Sequence, residues 1–262
     1  MTEQEDCYNF LSFPACVVST GLRGTLIQLL KNEKFNTVLT TCGTLDHDIA
    51  RAYGAYYHGN FMLDDAEVKE RGYSRLGNVL VPASVYGDEV EKRVMQWLQE
   101  IYEEGKKELS THELVWEFGK RMPKNTICWQ AWKHKIPVFI PGITDGAIGT
   151  HLLMFSQDHP DFRVNVLKDE KKLSDIVFDH PVTGALMIGG GISKHHVIWW
   201  NQFKDGLDYA VYLTSAPEWD GSLSGARMRE AISWGKLKAK ARYVTVEGDA
   251  TVNLPLVVSR IL

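Results

Sequence analysis

Cysteine is scarce in this chain: Cys7, Cys16, Cys42 and Cys128 are all it has, and no two stand at CxxC spacing. That excludes a thiolate zinc ribbon, and no metal site is expected. A chain of 262 residues needs no disulfide staples to hold its core, so a reducing compartment is expected. Long apolar runs are absent as well, since none approaches the ~18 residues of a membrane span. The opening MTEQEDCYNF has acids where a secretory leader needs bases, which together predicts a soluble, cytoplasmic protein. Neither sign of charge is in excess: 29 Lys and Arg against 33 Asp and Glu leave a formal charge of −4, interspersed along the chain. Nucleic acid and anionic membrane are thereby excluded as principal partners. Repeats, low-complexity tracts and Pro/Gly-rich linkers are missing too, and residues 1–262 read as a single domain.

What the chain does have is a series of short apolar runs rich in β-branched residues, at 7–12, 36–43, 136–142, 183–191, 207–216 and 241–250. Helical stretches separate them, and each run is apolar on both sides, as a buried parallel strand should be. The alternation predicts an α/β fold, a Rossmann-like, doubly wound and mostly parallel sheet with helices on both faces. Two helices carry start signals. Asp88 with Glu91 reads as a capping box ahead of Val90, Val94, Trp97, Leu98 and Ile101, with Gly105 placed to end the helix; Ser110 with Glu113 repeats the device. Together they read as a helical insertion, about residues 84–122, packed on the sheet. The charged run KDEKK, 168–172, reads as the start of a solvated helix.

Ligands of such a sheet bind beyond the carboxyl ends of the strands, and every unusual cluster here follows a strand. These are TTCGTLDHD (40–48), TDGAIG (144–149), GGGISKHH (189–196), TSAPEWDGSLSGAR (214–227) and GDA (248–250). The triple glycine is not GxGxxG; it fits a tight turn, or backbone amides around a nucleotide-sized ligand. Asp48 reads as a helix cap, whereas Asp145 and Asp249, in Gly/Ala-flanked turns, read as ligand contacts. His195 and His196 open a helix and point about 100° apart, so at most one faces the site, as a base or a donor, or simply as a structural histidine. Lys236 follows Trp234-Gly235 inside what reads as an amphipathic helix over 230–240. By charge pattern it is a surface lysine; beside an indole and out of water it would instead be a nucleophilic amine.

Taken together, these blocks, with RLGNVLVP (75–82), IPVFIPGITDGAIG (136–149) and EAISWGK (230–236), resemble the deoxyhypusine synthase family in register from Asp6 to the C-terminus. The wording DGSLSGA and DHDIA is similar to the archaeal branch. The resemblance implies NAD-dependent transfer of the 4-aminobutyl group of spermidine, through an enzyme-lysine imine, to a lysine of the hypusine-containing translation factor. Lys236 matches the family's lysine and His195 its histidine. The cofactor contacts it implies are Ala15, Cys16, Val17, Val18, Ser19, Thr41, Cys42, Gly43, Asp145, Gly190, Ser215, Ala216, Asp249 and Ala250. The polyamine contacts it implies are Asp46, His47, Tyr212, Gly221, Ser222, Glu230 and Trp234. The family forms homotetramers and carries a helical N-terminal extension, whereas the first strand here is expected near Cys7, so a short form is expected. Animal members carry acids where this chain has His47, Thr150 and Leu223. Two other functions stand beside this one: homospermidine synthase, with putrescine as acceptor, and a non-catalytic regulatory paralogue. The latter is disfavoured because Lys236, His195 and Glu230 are all present.

Overall fold

The computed structural model describes residues 1–262. Its strands are β1 (Cys7–Ser12), β2 (Thr37–Leu39), β3 (Tyr57–His58), β4 (Tyr73–Leu76), β5 (Val79–Pro82), β6 (Glu108–Leu109), β7 (Val138–Phe139), β8 (Arg163–Val164), β9 (Val182–Ile188), β10 (Leu207–Thr214) and β11 (Leu237–Glu247). Its helices are α1 (Cys16–Ser19), α2 (Arg23–Lys31), α3 (Gly43–Tyr53), α4 (Asp65–Glu70), α5 (Val90–Glu103), α6 (Thr111–Arg121), α7 (Ile127–Lys133), α8 (Ala147–Asp158), α9 (Val166–Asp179), α10 (Gly191–Asn201), α11 (Glu230–Ser233) and α12 (Ala250–Ile261). None is long and apolar enough to cross a membrane.

All six apolar runs lie in one sheet, in the order β11-β10-β9-β1-β2-β7, with every neighbouring pair parallel. The winding starts at β1, runs outward through β2 to β7, then returns to β9 on the other side of β1 and runs outward again. That is the doubly wound order, and its reversal falls between β1 and β9. Because strand side chains alternate, one strand feeds two cores. Leu11, Val38, Leu186, Ile188 and Leu213 join a core with α2, α3, α5 to α8 and α12; Phe10, Leu39, Ala185, Met187 and Tyr212 join a second core with α9, α10 and α11. The fold class is α/β with helices on both faces, as the sequence predicts.

Residues 84–122 carry α5 and α6 but also the short strand β6, paired with β8, and differ in detail. The Ser110–Glu113 capping box is present in full, and Gly105 takes φ +81° just past α5. The Asp88–Glu91 box is not formed: residues 84–89 make a wide π-helical turn that runs into α5 without a break, so no side chain caps that end. These helices supply Val94, Trp97, Leu98, Leu114 and Phe118 to the larger core. A small antiparallel sheet, β3-β5-β4, escaped the sequence reading. Its β4–β5 hairpin turns at Gly77-Asn78 with Gly77 at φ +61°, a two-residue turn of the kind that opens with glycine.

Candidate active site

Where the winding reverses, the loops after β1 and β9 part and leave a crevice. A cavity of about 500 Å³ occupies it, within the ~300–1,000 Å³ usual for small-molecule sites. Cys16 and Val17 line it from the turn after β1, Gly189 to Gly191 from that after β9, Ser215 and Ala216 after β10, Asp249 and Ala250 after β11. Gly189 and Gly191 have φ of +65° and +71°, which a side chain would strain, and the space over Gly191 is open. No side chain caps α10, so its first-turn amides remain for an anionic group. Asp249 caps α12 through one oxygen, which accepts from the Thr251 amide at 2.8 Å; its other oxygen has no partner in the chain.

Beside this crevice lies a smaller cavity, about 250 Å³, where His195, Glu230, Trp234 and Lys236 meet. The helix expected over 230–240 stops early. Gly235, at φ +67°, donates its amide to Ile232 O (3.0 Å) and Lys236 to Ala231 O (3.0 Å), the paired bonds of a Schellman stop. Lys236 therefore stands on the junction between α11 and β11. Its Nζ is 5.3 Å from the centre of the Trp234 ring and 5.8 Å from that of Trp199, on which His195 stacks at 5.7 Å. Burial, and then the Lys236 charge, hold the His195 imidazole below its ordinary 6.5, so it is neutral at pH 7. His196 turns the other way, its Nε2 3.0 Å from Glu170 Oε1 on α9. Another cavity, about 690 Å³ beside α6, is at no strand end of the main sheet, and Lys106 and Lys120 there already pair with Glu117.

The sequence pattern described as DS: Deoxyhypusine synthase matches residues 1–261. The chain belongs to the deoxyhypusine synthase family. A relative named "Probable deoxyhypusine synthase" from Picrophilus torridus is 56% identical over 259 residues, covering 98% of this chain and 83% of the relative. One of the same name from Thermoplasma acidophilum is 54% identical over the same shares. Among solved structures, one from Entamoeba histolytica described as a deoxyhypusine synthase aligns with a TM-score of 0.67 at 21% identity, over 97% of this chain and 74% of that one. AgrE, solved with ornithine and NAD+, aligns with a TM-score of 0.55 at 13% identity, over 97% and 30%.

The positions that the deoxyhypusine synthase resemblance assigns to ligands do not all reach the two cavities. Val18 is fully buried in the larger core, and Ser19 spends its hydroxyl on Cys16 O at 2.8 Å. Ala15 donates its amide to Thr41 Oγ1 at 3.0 Å, and Gly43 fits so closely that a Cβ there would be 2.9 Å from that of Ala15. These residues brace the turn after β1 from below. Cys42 is fully buried, its thiol pushed up to about 12 by burial and by Asp46. Asp145 is exposed on the turn before α8 and lines neither cavity.

Among the polyamine positions, Asp46 is fully buried, its carboxylate taken by the amides of Ala147 and Ile148 (both 3.0 Å) at the start of α8 and by the Tyr86 hydroxyl (2.9 Å). His47 bonds Tyr56 through Nδ1 at 2.8 Å. Tyr212 is fully buried and donates to Ser224 O at 2.6 Å, which leaves it no face for a polyamine. Gly221 and Ser222 form an exposed turn, Gly221 at φ +74° and Ser222 bonded to Asp220. Asp48 does not cap its own helix: it sits in mid-α3, pairs with Arg23 at 2.7 Å and accepts the Cys128 amide at 2.9 Å, capping α7 from 80 residues away. Sequence reasoning missed Lys194 and Arg227, buried cations in the wall of the Lys236 cavity. Lys194 lies in GGGISKHH, where the glycines and histidines drew the reading.

Proposed function

We propose that the chain transfers the 4-aminobutyl group of spermidine, through an imine on Lys236, to a lysine of the hypusine-containing translation factor, with NAD as cofactor. The observation that carries this is a lysine amine 5.3 and 5.8 Å from two indole rings, in one cavity with a neutral histidine and a carboxylate, next to a glycine-lined crevice at the winding reversal. In this reading the amides of Gly190 and Ser215 receive the phosphates and the free oxygen of Asp249 a ribose hydroxyl, while the Ala216 amide, donated to Thr214 Oγ1 at 3.1 Å, shapes the turn. Held there, NAD would supply an acceptor for the hydride of the carbon beside the nitrogen and a donor of it at the end.

The chain's own groups carry the remaining steps. His195 removes a proton from the secondary ammonium of spermidine, so that the carbon beside it can give up hydride and become the carbon of an imine. The Lys236 amine adds to that carbon; the bond to the three-carbon arm breaks, 1,3-diaminopropane leaves with its nitrogen, and the butyl fragment stays on Nζ as an imine. The acceptor lysine then displaces Nζ at the same carbon, which frees Lys236, and hydride closes the new C=N to a secondary amine. Glu230 meets an ammonium end and Trp234 walls the alkyl chain.

Peptide mass spectrometry after incubation with NAD, spermidine and borohydride tests the reading: a butylamine adduct is expected on Lys236. In Lys236→Arg the guanidinium stays protonated near neutral pH and cannot attack, so adduct and transfer vanish while NAD still raises the melting temperature. Transfer at the wild-type rate in that variant would remove Lys236 from the mechanism. Supplying the translation factor or putrescine separates the protein acceptor from homospermidine synthesis. A homotetramer is part of the proposal; light scattering that finds a monomer counts against it.

A further inference from the structure

One stretch of chain, residues 222–227, separates the two cavities. Ser224 lines the crevice, while Leu223, Ala226 and Arg227 line the Lys236 cavity. It is neither α-helix nor strand, so its carbonyls need partners from elsewhere. Four in a row find them in buried or half-buried side chains. Lys194 Nζ donates to Leu223 O at 2.9 Å and Ala226 O at 2.7 Å. Tyr212 and Thr214 hydroxyls donate to Ser224 O at 2.6 and 2.8 Å, and the Arg227 guanidinium to Gly225 O at 3.0 Å. The fit is tight from the other side too, because a Cβ on Gly190 would come within 2.4 Å of Ser224 Cα.

Lys194 stands out among these donors. It is 2% exposed, pairs with no carboxylate, and rests 3.6 Å from the centre of the Tyr212 ring. Burial brings its amine down to about 8. Burial disfavours its charge, Glu230 in the same cavity attracts it without forming an ion pair, and Arg227 opposes it, so no close carboxylate accounts for the ammonium and its two bonds to carbonyls are what it supplies. Nor is it free to react, since two carbonyls and a ring surround its nitrogen.

We propose that Lys194 is a positioning residue, holding 222–227 as the common wall of the two cavities and so setting where a substrate lies between the crevice and Lys236. The catalytic part rests on the function proposed above; the wall does not.

The test compares the wild type with Lys194→Met and Lys194→Arg. Hydrogen exchange at the amides of 222–227 is expected to quicken in Lys194→Met. NADH formation from spermidine should fall in kcat by ~10-fold or more, toward the ~10² that a small misplacement costs, with KM little changed. Lys194→Arg, which keeps cation and donors, should restore part of kcat. Unchanged exchange, or wild-type kcat in Lys194→Met, overturns the proposal. If Lys194→Met does not fold, Lys194→Gln, with one donor retained, takes its place under the same criteria. Borohydride trapping in the wild type reads independently: an adduct on Lys194 makes it a nucleophile and ends the positioning role, whereas one on Lys236 alone upholds it. A wild type that forms neither NADH nor adduct sinks the proposed function, and the exchange rates still decide whether Lys194 holds the wall.

Discussion

Two adjacent histidines at one helix start have different surroundings, and the difference decides which can move a proton. His195 stacks on Trp199 and lines the Lys236 cavity; His196 faces Glu170 on the far side. Burial and the Lys236 charge depress the His195 pKa below 6.5. A base must be neutral to accept a proton, so its work is fully available above 6.5 and is lost as pH falls through the lowered value. NADH formation from spermidine should therefore keep its rate down to pH 6.5 and decline only below it. His195→Ala should remove ~10²-fold of that rate and the acid limb with it, the low end of general-base contributions. His196→Ala should do less, and stopped-flow absorbance of NADH would show whether the order is reversed.

At the scale of elements, Lys236 is placed by a helix stop rather than by a helix. Gly235 needs φ +67° for the Schellman bonds, and nothing lies within 4 Å of where its Cβ would be, so strain is the whole cost of a side chain there. Gly235→Ala should lose about 1 kcal/mol in urea unfolding and lower the adduct yield at Lys236, while Gly235→Asn, which tolerates the left-handed region, should lose less. Equal losses would mean that conformation is not what the glycine supplies. The Arg23–Asp48 pair ties α2, α3 and α7 together out of water. Asp48→Ala leaves the guanidinium buried without its partner, so about 3–5 kcal/mol should vanish from the unfolding free energy; a loss under about 1 kcal/mol would show that Arg23 finds water or another acceptor. The inner strands of the main sheet were legible because parallel strands between two helical layers must be apolar throughout, as Phe10-Leu11 and Met187-Ile188 are, whereas β11 at the edge is largely exposed. The β3-β5-β4 sheet was not, since Val68 and Val81 are the only buried side chains between 57 and 82 and no period survives. Asp46 and Asp48 misled for a related reason: a carboxylate's partners can be helix N-termini 80 to 102 residues on, which local spacing does not reveal.

For the molecule as a whole, the reversal between β1 and β9 puts four strand-end turns from distant parts of the chain around one crevice, and the proposed NAD site follows from that order. Asp249 carries two duties there, capping α12 with one oxygen and presenting the other to the crevice, and a substitution can separate them. Serine caps a helix about as well as aspartate but has no second oxygen to offer. Asp249→Ser should therefore melt within a few degrees of the wild type without ligand, yet show a smaller rise in melting temperature when NAD is added. A ligand that binds only the native state adds about 2.7 kcal/mol at a hundred times its Kd, so even a tenfold weaker affinity is readable as a reduced shift. Asp48→Ala should give the opposite pattern, a low starting temperature with the NAD increment kept, because its carboxylate is sealed between α3 and α7. If Asp249→Ser keeps the full increment, the aspartate is a cap alone and the ribose contact must come from another turn of the crevice.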